Sequence, residues 1–308
     1  MLGRYEQAVR AYAEEARAWS YLGEAARSRS GVRGLGQPLP GWALTAARKA
    51  YALQVALQPL QGLQVVSDAP YLQGLVSNLA GLGVPVFLRF GAEMNGDWTA
   101  WSGDLAVFVE KFRLVARAAR KANNVAVVWC PNSAPEDNIA QYYPGDDYVD
   151  WVGLNFYSDY YMNGRPSEPL PSQYVHHQGR LASPLEKLDY VYAKYANRKP
   201  VMICEIGAAH RSVTTGEDVT SWGMSQLGML YGNLPLRFPR VKAVFYYSVD
   251  QGSPCYPADN RWSNYCLTDN QPFLGRYREL VSLPWYLERP GDSSPVAITR
   301  RGSCPTSP

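Results

Sequence analysis

Residues 85–130 read PVFLRFGAEMNGDWTAWSGDLAVFVEKFRLVARAARKANNVAVVWC. PVFLRF (85–90) and VAVVWC (125–130) are short, nearly continuous apolar runs. Between them, 105–122 places apolar residues at helical spacing. Strand, helix and strand in that order, with strands apolar on both faces, describe a parallel sheet covered by helices on each side. The unit recurs in both directions, and strands are expected at Leu53 to Gln58, Pro85 to Phe90, Val125 to Cys130, Tyr148 to Asn155, Pro200 to Ile206 and Val241 to Ser248. Helical periodicity fills the gaps in APYLQGLVSNLAGL, SPLEKLDYVYAKYA and TSWGMSQLGMLYGNL, and FLGRYRELVSLPWYL follows the last strand. A doubly wound sheet and a (β/α)8 barrel both satisfy this pattern. No Gly-x-Gly-x-x-Gly or phosphate-binding loop follows any strand, which counts against a nucleotide-binding doubly wound fold.

Composition narrows the function. The chain has 308 residues, 46% hydrophobic and 19% charged, with no uncharged apolar run of bilayer length, so a membrane span and a highly charged disordered chain are both excluded. The net charge of +3 is spread over interspersed acidic and basic residues and cannot supply the field that holds a nucleic-acid backbone. Nine Trp and 22 Tyr exceed what a core with few polar partners accommodates, so part of this load is expected on an open surface. The three His and five Cys show no zinc-ligand spacing, so a structural or catalytic zinc is not expected. Cys130 and Cys204 lie in apolar runs and read as buried, inert thiols.

Two carboxylates occupy equivalent places. Glu93 follows the strand PVFLRF, and Glu205 ends the strand PVMICEIG. Both are where a barrel strand delivers side chains to its C-terminal mouth, and a carboxylate beside apolar strand residues is costly unless it is paired or used. A carboxylate pair without a metal or a histidine partner suits glycoside hydrolysis, in which one group donates a proton and the other attacks or stabilises the sugar carbon.

The segment RFGAEMNGDWTAW (89–101) resembles the acid/base segment of glycoside hydrolase family 26, whose motif runs Arg-Phe-x-His-Glu-Met-Asn-Gly-x-Trp-x-x-Trp. The resemblance continues through VVWCPN (127–132), YYPGDDYVDWVGLNFYSD (142–159) and KPVMICEIGA (199–208). It implies a clan A (β/α)8 barrel, and the family consists mostly of endo-β-mannanases. Carried over by motif, Glu93 is the acid/base at the end of strand four and Glu205 the nucleophile at the end of strand seven. Arg89 is then the buried Arg that keeps the nucleophile ionised, and Tyr157 the Tyr whose hydroxyl donates to it. Trp98 and Trp101 become sugar platforms, and Asn95, Asn132, Trp129 and Tyr247 further substrate-site residues. The implied activity is that of a retaining endo-β-glycosidase acting on a β-1,4-mannan type polysaccharide, and this hydrolytic reading implies no cofactor. Another β-glycan hydrolase (mixed-linkage glucanase or xylanase) and a non-catalytic glycan-binding barrel are the alternatives.

The sequence departs from the pattern at Ala92, where the motif has His, and in residues 1–50, which are Ala-rich and helical in pattern and do not show strands one and two of a barrel. The expected organisation is therefore a helical segment over 1–50, a catalytic domain over 51–287 and a disordered Pro- and Ser-rich tail over 288–308. Cys255 and Cys266 bracket a polar loop and are expected to form a disulfide. Asp146, Asp147 and Asp150 read as surface caps. The N-terminal residues contain no signal peptide, while the family and the disulfide imply that the full-length protein is secreted. The expected partner is a polysaccharide or oligosaccharide substrate bound by a monomer, with neither nucleic acid nor membrane involved.

Overall fold

The computed structural model describes residues 52–161, 183–253 and 261–286. Six parallel strands follow one another in it: β1 (Leu53–Leu57), β2 (Val86–Phe90), β3 (Val125–Trp129), β4 (Trp151–Ser158), β5 (Val201–Ala208) and, after a two-residue strand β6 (Arg211–Ser212), β7 (Val241–Tyr246). Helix α1 (Pro70–Ala80) links β1 to β2, α2 (Leu105–Ala119) links β2 to β3, α3 (Pro184–Tyr195) precedes β5, α4 (Thr220–Arg237) precedes β7, and α5 (Gln271–Val281) follows. Local chemistry starts these helices. The Asp104 carboxylate accepts from Val107 N–H at α2, and Ser183 with Glu186 closes a reciprocal capping box at α3.

The sheet order is β1-β2-β3-β4-β5-β7, without a reversal. This decides between the two architectures left open by the sequence, since a doubly wound sheet reverses direction at a switch point and a (β/α)8 wall does not. The wall is curled. In a flat sheet, strands four places apart lie about 19 Å from each other. Here the Gln54 side chain on β1 donates to Cys204 O on β5 at 3.0 Å, and the rings of Phe87 on β2 and Phe245 on β7 are 6.3 Å apart. The residues expected to supply strands one and two of the barrel, 1–50, lie outside the described residues, as does the tail 288–308.

Alternation along the strands creates two apolar layers. Val86, Leu88 and Phe90, with Val152, Leu154 and Phe156, face the helices and pack on Phe108, Phe112 and Leu188. Phe87, Val128, Cys130, Met202, Cys204 and Phe245 fill the inside of the wall. Between Leu154 and Asn155 the β4–β5 register slips by one residue, so that Ile203 faces Leu154 and Glu205 faces Asn155. Cys204 follows Met202 on the inner face by alternation, and the bulge after it brings Glu205 to the inner mouth as well. Gly153 provides the room, because a Cβ there would fall 2.4 Å from Cys204 Sγ.

The strand expected at Tyr148 to Asn155 begins three residues later. Asp146–Tyr148 instead forms a 3-10 turn, and Asp150 ends the turn by accepting from Val127 N–H at 2.8 Å. The Asp146 carboxylate binds Tyr143 and Arg198. Within the stretch read as a polar loop, β8 (Ser263–Asn264) pairs antiparallel with β6. Among the described residues Cys266 has no disulfide partner, and its Sγ is 3.3 Å from Thr268 Oγ1; its expected partner Cys255 lies outside the described residues.

Candidate active site

The chain leaves β2 through a tight turn. Gly91 has φ 52°, and a Cβ on it would meet Phe108 Cε2 at 2.9 Å. Two residues on, Glu93 has φ 61°, the one left-handed non-glycine conformation among the described residues. Such a backbone is costly for a glutamate and persists only where its surroundings hold it. The Glu93 N–H donates to Cys130 O at 2.9 Å. Asn95 ties the turn to the segment after β3, donating to Asn132 O (3.0 Å) and Pro135 O (2.8 Å) and accepting from Asn132 N–H (2.8 Å).

The two carboxylates are held by different partners. Glu205 receives the Arg89 guanidinium on Oε1 and the Tyr157 hydroxyl on Oε2. Arg89 is buried; desolvation works against its charge, but the neighbouring Glu205 carboxylate prevails and its pKa stands above the ordinary arginine value. Among the described residues Glu93 has no cationic partner. Its Oε1 accepts from Asn155 Nδ2 (2.9 Å) and Asn132 Nδ2 (3.1 Å), and its Oε2 accepts from Trp98 Nε1 (2.9 Å). Burial, and then the charge of Glu205, raise the Glu93 pKa above the usual carboxylate value against the pull of these three donors. Asn155 joins the two halves, since its Oδ1 accepts from Arg89 Nη1 at 2.9 Å while its Nδ2 serves Glu93.

Both glutamates line one cleft of about 300 Å³, with Trp98, Trp101, Tyr157 and Tyr247 around them. Trp98 is half exposed, whereas Trp101 is buried and donates to Ala92 O at 2.8 Å. Arg89, Asn95 and Asn132 do not line the cleft; they stand behind it and hold the carboxylates or the turn. Trp129 is placed elsewhere. It alternates with the inward Val128, so it points to the helix layer, where it donates to Tyr142 O and packs on Tyr143 and Tyr195.

Three further residues emerge only from the structure. Asn155 shares the inward face of β4 with Tyr157, and a carboxamide in an apolar strand two residues before a site tyrosine is a legible signal. Asp159 lines the cleft, and its Oδ1 accepts from Ser263 Oγ and the Tyr265 hydroxyl. Burial raises its pKa more than those donors lower it. Lys187 of α3 donates to Tyr157 O, and burial lowers its pKa to about 8. Nothing in the helical pattern around Lys187 marks it.

Gly96 permits the Trp98 contact, because a Cβ there would lie 2.4–2.5 Å from three atoms of the Trp98 ring. Gly96→Ala is expected to swing the indole off Glu93 and remove a donor that lowers the Glu93 pKa. The alkaline limb of a kcat/KM–pH profile should then move to higher pH, with KM rising about threefold to tenfold as a stacking surface is lost. An unchanged profile would mean that Trp98 does not govern Glu93.

The profile of glycosyl hydrolase family 26 matches residues 64–168. A β-1,3-xylanase of Alcaligenes sp. is 29% identical over 118 residues, covering 35% of this chain and 24% of that protein. The chain spans about a quarter of the length of the curated relatives it matches. Among solved structures, a modular endo-β-1,4-mannanase from Cellulomonas fimi gives a TM-score of 0.48 at 16% identity, over 70% of this chain and 47% of that one. An engineered protein gives 0.53 at 15% identity, over 80% and 57%, a likeness of fold alone. The stretch that carries Arg89 and Glu93, residues 64–168, is thus similar to glycosyl hydrolase family 26.

Proposed function

We propose that the protein is a retaining endo-β-glycosidase that hydrolyses a β-linked polysaccharide by double displacement, with Glu205 as nucleophile and Glu93 as acid/base. The observation that carries this reading is the contrast between two carboxylates in one cleft. Glu205 is bound by a buried cation and a phenol, while Glu93 has only neutral donors among the described residues and a raised pKa. A carboxyl group whose pKa burial raises is the candidate acid, and one held by a buried cation is the candidate nucleophile.

In the first step a Glu205 oxygen attacks the anomeric carbon, and the Glu93 proton passes to the glycosidic oxygen as the carbon–oxygen bond breaks. The products are a glycosyl ester on Glu205 and a free sugar hydroxyl. Esterification removes the Glu205 charge that helps to hold Glu93 protonated, so the Glu93 pKa falls and its carboxylate accepts a proton from water. Attack by that water releases the sugar and restores Glu205 as an anion and Glu93 as an acid.

A β-1,4-mannan type polymer is the proposed substrate. Xylan is the second reading, favoured by the relatives named β-1,3-xylanases. Reducing-end assays on mannan, mixed-linkage glucan and xylans of both linkages, with Glu205→Ala as control, test this directly. Release from mannan that the control lacks is the expected result; release from a xylan alone would select the second reading. No release from any of them by folded protein would leave a glycan-binding barrel.

Ala92, buried and lining the cleft, bears on the choice. If the missing imidazole impairs a mannanase, Ala92→His should raise turnover on mannan by roughly 30-fold or more, the ~2 kcal/mol or more that one preorganised donor supplies. If the pocket has adapted to another sugar, the same change should reduce activity on that sugar by steric overlap. No change on any substrate would show that the position does not reach the sugar.

A further inference from the structure

Beside the cleft lies a second, larger concavity of about 910 Å³ that contains neither Glu93 nor Glu205. We infer that it is a separate binding site for the polymeric β-glycan, a secondary surface on which Tyr160 and Trp222 stack the pyranose rings of a chain. The identity of the ligand rests on the proposed function; the existence of the site does not.

The concavity presents aromatic surface. Tyr160 is 38% exposed, and its ring meets Trp222 edge-on at 5.4 Å and 80°. Tyr161 packs on the other side of Tyr160 at 4.8 Å and is tied by its hydroxyl to Glu217 Oε2 at 2.5 Å. Exposed rings pinned by neighbours lose little freedom when a ligand stacks on them, which is how aromatic side chains contribute to a binding surface.

The surrounding residues select the class of ligand. Apart from the rings and the apolar Val219, Met224 and Pro272, the lining consists of hydroxyl, carboxamide and carboxylate groups, including Ser221, Gln271, Asp218 and Asp269, with no Lys, Arg or His among the described residues. Such a surface repels phosphate and other anions but offers acceptors and donors to a neutral polyhydroxylated molecule. Apolar faces bordered by hydroxyl-binding groups are what a pyranose presents its C–H face and its rim to.

The platform is also rigid. Gly223 lets the start of α4 press against the end of β5, since a Cβ there would lie 2.3 Å from Ala209 O. Asn270 Nδ2 donates to Thr220 Oγ1 at 2.7 Å and ties the start of α4 to the start of α5. The two sites adjoin at the chain just after β4, where Asp159 lines the cleft and the next residue, Tyr160, lines the concavity. A polymer held at one is presented to the other, whereas a short oligosaccharide fills only the cleft.

The test uses affinity electrophoresis through gels containing soluble mannan, mixed-linkage glucan or xylan, with the chain carrying Glu205→Ala so that the polymer is not digested. Tyr160→Ala and Trp222→Ala, added singly, are expected to weaken retardation about fivefold or more, a loss of about 1 kcal/mol per ring. With Glu205 intact, the same variants should hydrolyse the polymer several-fold more slowly while kcat/KM on a short aryl oligosaccharide stays within twofold. Tyr160 is a surface residue, so its variant keeps the test decisive if Trp222→Ala does not fold. Retardation unaffected in the Tyr160 variant would overturn the inference, as would equal losses on polymer and short substrate, which would place Tyr160 in the cleft. A protein retarded through Tyr160 that hydrolyses nothing would retain this site and reject the hydrolase reading. Hydrolysis with retardation indifferent to Tyr160 would do the reverse.

Discussion

Glu205→Ala is expected to reduce turnover by on the order of 10⁴-fold to 10⁶-fold on every substrate, because it removes the carboxylate proposed to form the glycosyl ester. The residue is held on both oxygens, by Arg89 and by Tyr157, and its replacement leaves those donors facing a void. Glu93→Ala should behave differently. General acid catalysis contributes about 10²-fold to 10⁴-fold, so hydrolysis of the polymer should fall by that amount. An aryl glycoside whose leaving group departs without a proton should still form the glycosyl ester readily. In the wild type, burial and the Glu205 charge raise the Glu93 pKa, so the acid stays protonated above the usual carboxylate range and turnover falls as pH rises through that raised value. In Glu93→Ala this alkaline limb should vanish. Equal losses on both substrate types, or an unchanged limb, would contradict the division of roles.

Arg89→Met is expected to be the next most damaging change, and to damage both activity and stability. Arg89 is 3% exposed and binds Glu205, Asn155 and, through them, the Glu93 side of the cleft. Removing one member of a buried ion pair leaves the other charge uncompensated, at a cost of roughly 3 kcal/mol, which a urea titration would register as a lower midpoint with an unchanged slope. Turnover should fall by about 10²-fold to 10³-fold, since the attacking carboxylate loses a preorganised partner. Full stability with normal kcat would show that Arg89 is a bystander.

How much of this was legible in the sequence depends on the kind of residue. The strands around 85–130 were plain because period and composition agree there, and β2 and β3 fall within a residue of their expected ends. The strand at 148–155 was misplaced because Tyr148 and Val149 are apolar, while the turn at Asp146–Tyr148 depends on tertiary bonds that periodicity does not carry. At the site, the two carboxylates were readable because an acidic residue at the end of an apolar strand is anomalous. Trp129 was misassigned because its inward or outward sense depends on register, and one residue separates the inner Val128 from the outer Trp129. The bulge that aims Glu205 lies in the pairing of β4 with β5, and Lys187 reaches Tyr157 O from a helix 30 residues away. Neither leaves a local trace.

The central claim, that Glu205 forms a covalent bond to sugar while Glu93 moves the proton, is tested most directly by trapping. In a 2-deoxy-2-fluoro glycosyl fluoride of the hydrolysed sugar the 2-fluorine slows both displacements, while the activated fluoride leaving group speeds only the first, so the ester accumulates. Mass spectrometry after proteolysis should then place one glycosyl group on the peptide that contains Glu205. The same label on Glu93, or continued hydrolysis of the natural substrate by a protein that takes up no label and inverts the anomeric configuration, would contradict the account.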